Sequence, residues 1–303
     1  MAGLQGLPAL AGMDITKMTG TGNDFILVDN RKARVPVELM PLLARAVCRR
    51  RQSVGADGLI LLEPSDRVDP KHGKIDFRWH FYNADGSEAE MCGNGGRCAA
   101  RFARDRGLAG DEMVFDTLAG PIRAWMVKED VVRLQMVPPS GAYRDLELEA
   151  LDRRVRLDGV NTGVPHAVLA VEGLEAAPVR ELGRALRFHP HFQPAGTNVN
   201  FTAVKDGELW IRTYERGVED ETLACGTGAV ASALVAGGRG LLKPPITVRV
   251  RSGELLKVYF TPRGERFEKV MLEGAAAYVF EGTLDRQAFD WLLCGADHNQ
   301  EEE

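Results

Sequence analysis

Residues 92–108, CGNGGRCAARFARDRGL, and residues 225–241, CGTGAVASALVAGGRGL, are two versions of one segment. With each cysteine as position zero, Cys, Gly, Gly, Ala, Ala, Arg, Gly and Leu recur at positions 0, 1, 3, 8, 11, 14, 15 and 16. Upstream, each copy has a strand-like run ending in Tyr (Tyr82, Tyr214), a Gly-containing acidic turn, and a Glu four residues before the cysteine (Glu88, Glu221). A repeat of this kind reads as two copies of one supersecondary unit. In each copy the glycines mark a loop and the residues beyond them a helix, so each copy sets a cysteine at a helix N-terminus.

The second helix, AVASALVA (229–236), carries no charge. A helix apolar all round is buried, and its small residues suit a tight enclosure such as the inside of a curled sheet. Strands announce themselves by alternation. In IDFRWHFY (75–82), Ile75, Phe77, Trp79 and Phe81 share one face, with Asp76, Arg78, His80 and Tyr82 opposite. VVRLQMV (131–137) and ITVRVRS (246–252) behave likewise. Helices are expected near 40–50, 97–106, 179–187 and 228–236. Strands dominate and the helices are single, which argues against a repeated βαβ array. The expected fold is therefore α+β (mixed α/β), with mixed sheets wrapped on central helices in two copies of one unit. PPSGAYR (138–144) has the composition of a boundary.

Bulk properties agree. A chain of 303 residues favours two domains. Its 45% hydrophobic and 27% charged content is that of a soluble globular protein. A formal net charge of -5 gives no reason to expect nucleic acid or an anionic membrane as a partner. Arg49, Arg50 and Arg51 read as a solvated helix end. No apolar run approaches the ~20 residues of a membrane span, and MAGLQGLPALAG (1–12) lacks the features of a signal peptide. It reads as a loose extension, and ADHNQEEE (296–303) as a frayed end. Cys48, Cys92, Cys98, Cys225 and Cys294 are odd in number and widely spaced, which points to a reducing compartment and a cytoplasmic protein. No cysteine or histidine pair has zinc spacing, so no metal is expected; His189 and His191 read as an exposed turn.

The chemistry follows from the helix ends. A free thiol titrates near ~8.5, and the partial positive charge and unpaired N–H groups of a helix N-terminus favour its anion. The N–H groups of Gly93, Asn94, Gly226 and Thr227 suit a carboxylate. Two such ends facing one small substrate would invert a carbon centre: one thiolate removes the α-proton from one face, and the other thiol returns a proton to the opposite face. A cysteine before a glycine is by itself an ordinary small buried residue. The duplication singles out Cys92 and Cys225, and Cys48, Cys98 and Cys294 lack the loop.

KMTGTGNDFILVDN (17–30), FYNADGSEAEMCGNGGRC (81–98), GVPHAV (163–168), GTNVNF (196–201) and YERGVEDETLACGTGAVAS (214–232) together resemble the diaminopimelate epimerases over about residues 13–284. The resemblance implies a cofactor-independent enzyme, a homodimer, that interconverts LL- and meso-diaminopimelate on the route to lysine and peptidoglycan. It implies two pseudo-symmetric domains, each a curled mixed β-sheet or barrel around a central helix, with the active site in the interdomain cleft. It implies Cys92 and Cys225 as the catalytic bases. Gly93, Asn94, Gly226 and Thr227 would be donors to the reacting carboxylate, and Asn23, Asn83, Asn198, Glu215 and Arg216 contacts to the substrate. His166 and Glu215 would tune the cysteines. The domains would span 13–137, completed by a returning strand near 275–284, and 138–274, with a tail over 285–303. Two positions depart from the family: Gly58 stands where Gln is common, and Val164 where many members have Asn. Alternatives are a proline racemase-like enzyme, whose first loop typically reads CGHG, and a thiol redox protein, which would leave the anion-binding glycines unexplained. A phosphate binder would need the Lys and Ser/Thr of a P-loop, absent after both loops.

Overall fold

In a computed structural model, residues 4–264 and 266–292 are described; Cys294 and the 296–303 segment lie outside them. The chain divides into two units, 1–132 with 275–303, and 133–274. The division falls ahead of the Pro-rich stretch because Arg133 already pairs with Glu273 at 2.6 Å and Met136 N–H donates to Val270 O at 2.9 Å.

In the first unit, strand Ala277–Thr283 pairs antiparallel with Asp14–Gly20, which pairs antiparallel with Asn23–Asp29. Asn23–Asp29 runs parallel to Gly58–Pro64, antiparallel to Phe77–Asn83 in turn, which runs parallel to Glu112–Thr117 and on, antiparallel, to Gly120–Met126. In the second unit, Ser140–Ala150, Arg153–Asn161, Pro165–Ala170, Asn198–Lys205, Glu208–Glu215, Ile246–Arg249 and Leu255–Arg263 follow one another with the same sequence of antiparallel and parallel pairings. Each parallel step carries a helix. Met40–Val47 and Val179–Arg187 bridge the first such step of their units, and Gly93–Asp105 and Gly226–Gly238 the second. The duplication announced by two cysteine segments thus extends over both units.

Gly93–Asp105 and Gly226–Gly238 are the central helices, each touching strands along its own sheet, so each sheet curls around its helix. The second is buried on all sides, as its composition requires. Both begin earlier than their apolar runs suggest, immediately after the cysteine, because Gly96 and Ala229 N–H already donate to Cys92 and Cys225 O. The outer helices are amphipathic. Met40, Leu43 and Val47 bury one face, at about 1.5–3 kcal/mol per large side chain. They cover Tyr82, so the strand face expected to be wet is closed at that end.

The repeated Arg-Gly-Leu ends have a matching role. Arg106 donates to Thr16 Oγ1 at 3.2 Å and pairs with Glu281. Arg239 donates to Asp158 at 2.6 and 2.8 Å and to Asp145. The strand registers put Thr16 and Asp158 at equivalent positions, so one arginine per unit clamps the C-terminal end of the central helix to the same strand.

The chain ends correct the sequence reading. Leu4–Leu10 is a 3-10 helix with Leu7 buried, not a loose extension. Residues 285–292 are not a tail: Phe289 is buried with Leu7, Met40 and Leu43, and Trp291 Nε1 donates to Ala46 O at 2.9 Å. Both termini carry large apolar side chains, which gain more from burial than they lose in freedom.

Candidate active site

Cys92 and Cys225 are the N-cap residues of the two central helices, with extended backbone (φ -139°, ψ 121° and φ -128°, ψ 110°). Helix geometry leaves the first N–H groups beyond each cap, those of Gly93 and Asn94 and of Gly226 and Thr227, without intrahelical acceptors. Cys92 is partly buried and Cys225 buried. Cys48 and Cys98 are buried elsewhere, and burial pushes both thiols up to about 12. They are inert by environment.

Around the Cys92 end a chain of polar side chains runs through the predicted residues. Arg97, fully buried, donates from Nη2 to Asn94 Oδ1 at 2.9 Å and to Thr21 Oγ1 at 2.5 Å. Asn94 Nδ2 donates to Asn23 Oδ1 at 2.6 Å, and Asn23 Nδ2 donates to Asp57 Oδ2 at 2.9 Å. Arg50 bridges Asp57 and Asp24, and Lys17 pairs with Asp24 at 2.7 Å. Burial would raise the Asp24 carboxyl, but Arg50 and Lys17 outweigh it and hold it below its usual range. Arg50 is therefore more than a solvated helix end: its charge fixes the carboxylates that orient Asn23. Asn83 belongs to its own turn, donating to Ser87 Oγ at 3.0 Å. Gly58 lies opposite Asn83 in the register. A Cβ there would sit 2.7 Å from both the Phe81 ring and Tyr82 O, so Phe81 fills the space that a longer side chain would need.

At the Cys225 end, Cys225 Sγ lies 3.5 Å from Thr227 Oγ1, and Thr227 O accepts from Thr162 Oγ1 at 3.1 Å. Asn198 Oδ1 accepts from the Arg216 N–H at 2.9 Å while its Nδ2 donates to Pro165 O at 3.1 Å. Arg216 Nη1 donates to Ala195 O at 2.8 Å, and Glu215 Oε2 accepts from Thr222 Oγ1 at 2.9 Å. His166 pairs with Asn198 in the parallel register and is buried. Burial, with a smaller push from the Arg216 charge, brings its pKa down to about 3.

The registers also show what the two ends do not share. Counting from Tyr82 and Tyr214, Phe25 and His166 are equivalent, as are Ile60 and Asn200. Phe25 and Ile60 contact the Cβ position of Gly95; Asn200 contacts that of Gly228. The first helix start is backed by apolar side chains, the second by an amide that in turn meets the His166 imidazole. Sequence reasoning did not single out Arg97, Asp57 or Asn200. The signal for Asn200 was present: Asn198, Asn200 and Thr202 share one face of an otherwise apolar strand. Among the described residues no group of three or more His, Cys, Asp or Glu is placed to hold a metal ion, and no helix is long and apolar enough to cross a membrane.

A solved structure of a Bacillus anthracis phenazine biosynthesis protein of the PhzF family shares the fold, with TM-score 0.70 at 14% identity over 90% of this chain and 98% of that one. A helix wrapped by a curled sheet, present twice and led each time by Cys-Gly-x-Gly, defines a protein that carries its fold in duplicate. More narrowly, the chain belongs to the diaminopimelate epimerase family, whose model matches residues 15–140 and 159–279. The diaminopimelate epimerase of Aquifex aeolicus is 43% identical over 295 residues, covering 92% of this chain and all of the relative. That of a Hydrogenobaculum strain is 45% identical over 287 residues, covering 91% and 100%.

Proposed function

We propose that the enzyme converts LL-2,6-diaminopimelate to meso-diaminopimelate by two-base proton transfer between Cys92, Cys225 and one α-carbon, in the supply of lysine and peptidoglycan precursors. The observation that carries this reading is the placement of both cysteines at the N-caps of equivalent central helices. One cysteine, as thiolate, takes the α-proton, and the electron pair left on carbon delocalises into the adjacent carboxylate. Donors at the helix ends (Gly93, Asn94, Gly226 and Thr227) meet that charge where it builds. The other cysteine, as thiol, delivers its proton to the opposite face. The centre is inverted and the protonation of the pair exchanged; loss and gain of one proton to water resets it. Two like charges close together resist joint ionisation, so the pair holds one proton between them.

Asn23, Asn83, Asn198, Glu215 and Arg216 recognise the rest of the substrate. A planar guanidinium at Arg216 suits a distal carboxylate, and amides supply both donors and acceptors. Val164 brings no side-chain hydrogen bond to that end. The same reading has the enzyme work without a cofactor, as a homodimer in the cytoplasm, where thiols stay reduced. The test is stereochemical. Cys92→Ala and Cys225→Ala are each expected to abolish epimerisation of LL-diaminopimelate while keeping the fold by circular dichroism. Solvent deuterium is expected at the inverted carbon during turnover in D2O. Full activity in either variant defeats the scheme, and turnover of L-proline in place of diaminopimelate would move the enzyme to the neighbouring racemase class.

A further inference from the structure

His166 and Asn200 form a buried pair at the start of the Gly226–Gly238 helix. Asn200 is fully buried and His166 is 1% exposed. The Cβ position of Gly228 lies 2.4 Å from Asn200 Oδ1 and 3.3 Å from Cys225 Sγ, so the amide and the sulfur touch the same point of the first helical turn.

The amide cannot turn over. Ala167 O lies 3.0 Å from Asn200 Nδ2, and a carbonyl only accepts, so the atom facing it is nitrogen. Asn200 Oδ1 accepts from Thr213 Oγ1 at 3.0 Å on the other side. The second hydrogen of Nδ2 then meets His166 Nδ1 at 3.2 Å. That ring nitrogen must offer a lone pair. A neutral imidazole with its lone pair on Nδ1 carries its proton on Nε2. His166 Nε2 is itself buried, and none of the described residues accepts from it.

We propose that Asn200 is a positioning residue: it locks His166 as the neutral Nε2–H tautomer, so that His166 serves the Cys225 end as a fixed hydrogen-bond donor and never as a proton acceptor. The inference rests on the two-thiol reading and narrows it, for it removes His166 from the list of bases that could deprotonate a cysteine. Protonating Nδ1 would set two donors against each other at 3.2 Å in a dry site, with the Arg216 charge opposing a second cation. The other unit has no such device. Phe25 and Ile60 stand at the equivalent positions, so the two cysteine ends are chemically unlike despite their common fold.

The experiment is long-range proton–nitrogen NMR on the full chain labelled with 15N-histidine, with His166→Phe used to assign the signal. The expected spectrum shows a bare Nδ1 and a protonated Nε2; a proton on Nδ1, or an imidazolium, overturns the proposal. Asn200→Asp replaces the donor with an acceptor. It is expected to move the proton to Nδ1 and to lower kcat about 100-fold, the effect of losing one preorganised donor, with KM nearly unchanged. Wild-type kcat with the proton moved to Nδ1 overturns the positioning role while leaving the two-thiol reading intact. Activity in both cysteine-to-alanine variants defeats the two-thiol reading whatever the tautomer. Should Asn200→Asp fail to fold, the wild-type spectrum alone decides the tautomer.

Discussion

Replacing His166 by Phe, the residue that the other unit uses at the equivalent place, removes a buried imidazole that the fold keeps neutral. Unfolded, that imidazole takes a proton near its ordinary ~6.5; folded, burial and the Arg216 charge hold it down to about 3. As pH falls through ~6.5 the unfolded chain binds the proton and the native chain does not, so acid favours unfolding. From about pH 7.5 to about 5.5 this single group costs about 1.4 kcal/mol, with about another 1.3 for the next unit down, until the native pKa is reached. His166→Phe carries the same remaining titrations without this one. Its constant loss, an Asn200 N–H left without its ring partner, does not vary with pH. The assay is urea unfolding of both proteins across this range, followed by Trp210, the single tryptophan of residues 133–274, with Trp79, Trp125 and Trp291 changed to Phe in both. The gap between the two proteins should close by about 1.4 kcal/mol between about pH 7.5 and about 5.5. Parallel curves would mean that His166 gains its proton in the native state as easily as in the unfolded one, and would refute the buried, neutral imidazole.

Other outcomes follow from the same geometry. Gly228→Ala drives a methyl to 2.4 Å from Asn200 Oδ1 and 3.3 Å from Cys225 Sγ; it should cost about 1–3 kcal/mol by thermal melting and lower kcat together. Arg239→Met should destabilise by about 1.5–3 kcal/mol in denaturant titration, because Asp158 is left nearly buried without its bidentate partner. Arg106→Met at the repeated position should cost under about 1 kcal/mol, because its partner Glu281 is 58% exposed. Equal losses in the two arginine variants would contradict burial as the deciding factor.

Much of this was legible because glycine, cysteine and arginine at helix ends have few substitutes. Cys-Gly-x-Gly and Arg-Gly-Leu recur since one starts and the other ends a helix that must fit inside a sheet. The strand equivalences were not legible. Thr16 against Asp158, Phe25 against His166 and Ile60 against Asn200 share backbone positions but no chemistry, and only register reveals them. Asn200 was hidden by the rule that makes strands readable: a polar face opposite Val199 and Phe201 reads as solvent-facing, whereas here the central helix covers it. Arg97 and Arg50 were hidden differently. A charge in a loop or at a helix end is usually wet, and only the folded chain shows one guanidinium fully enclosed and the other holding two carboxylates.

The strand Ala277–Thr283 belongs to the unit formed mainly by residues 1–132, whereas 133–274 is continuous. On a translating ribosome the later unit therefore has every strand in hand while the earlier one still waits for its outermost. Nascent chains usually fold from their beginning; here the beginning stays an open sheet, with Asp14–Gly20 offering an unpaired edge, until residues 277–283 have been made. Protection of that edge during synthesis is a requirement that the finished enzyme no longer displays.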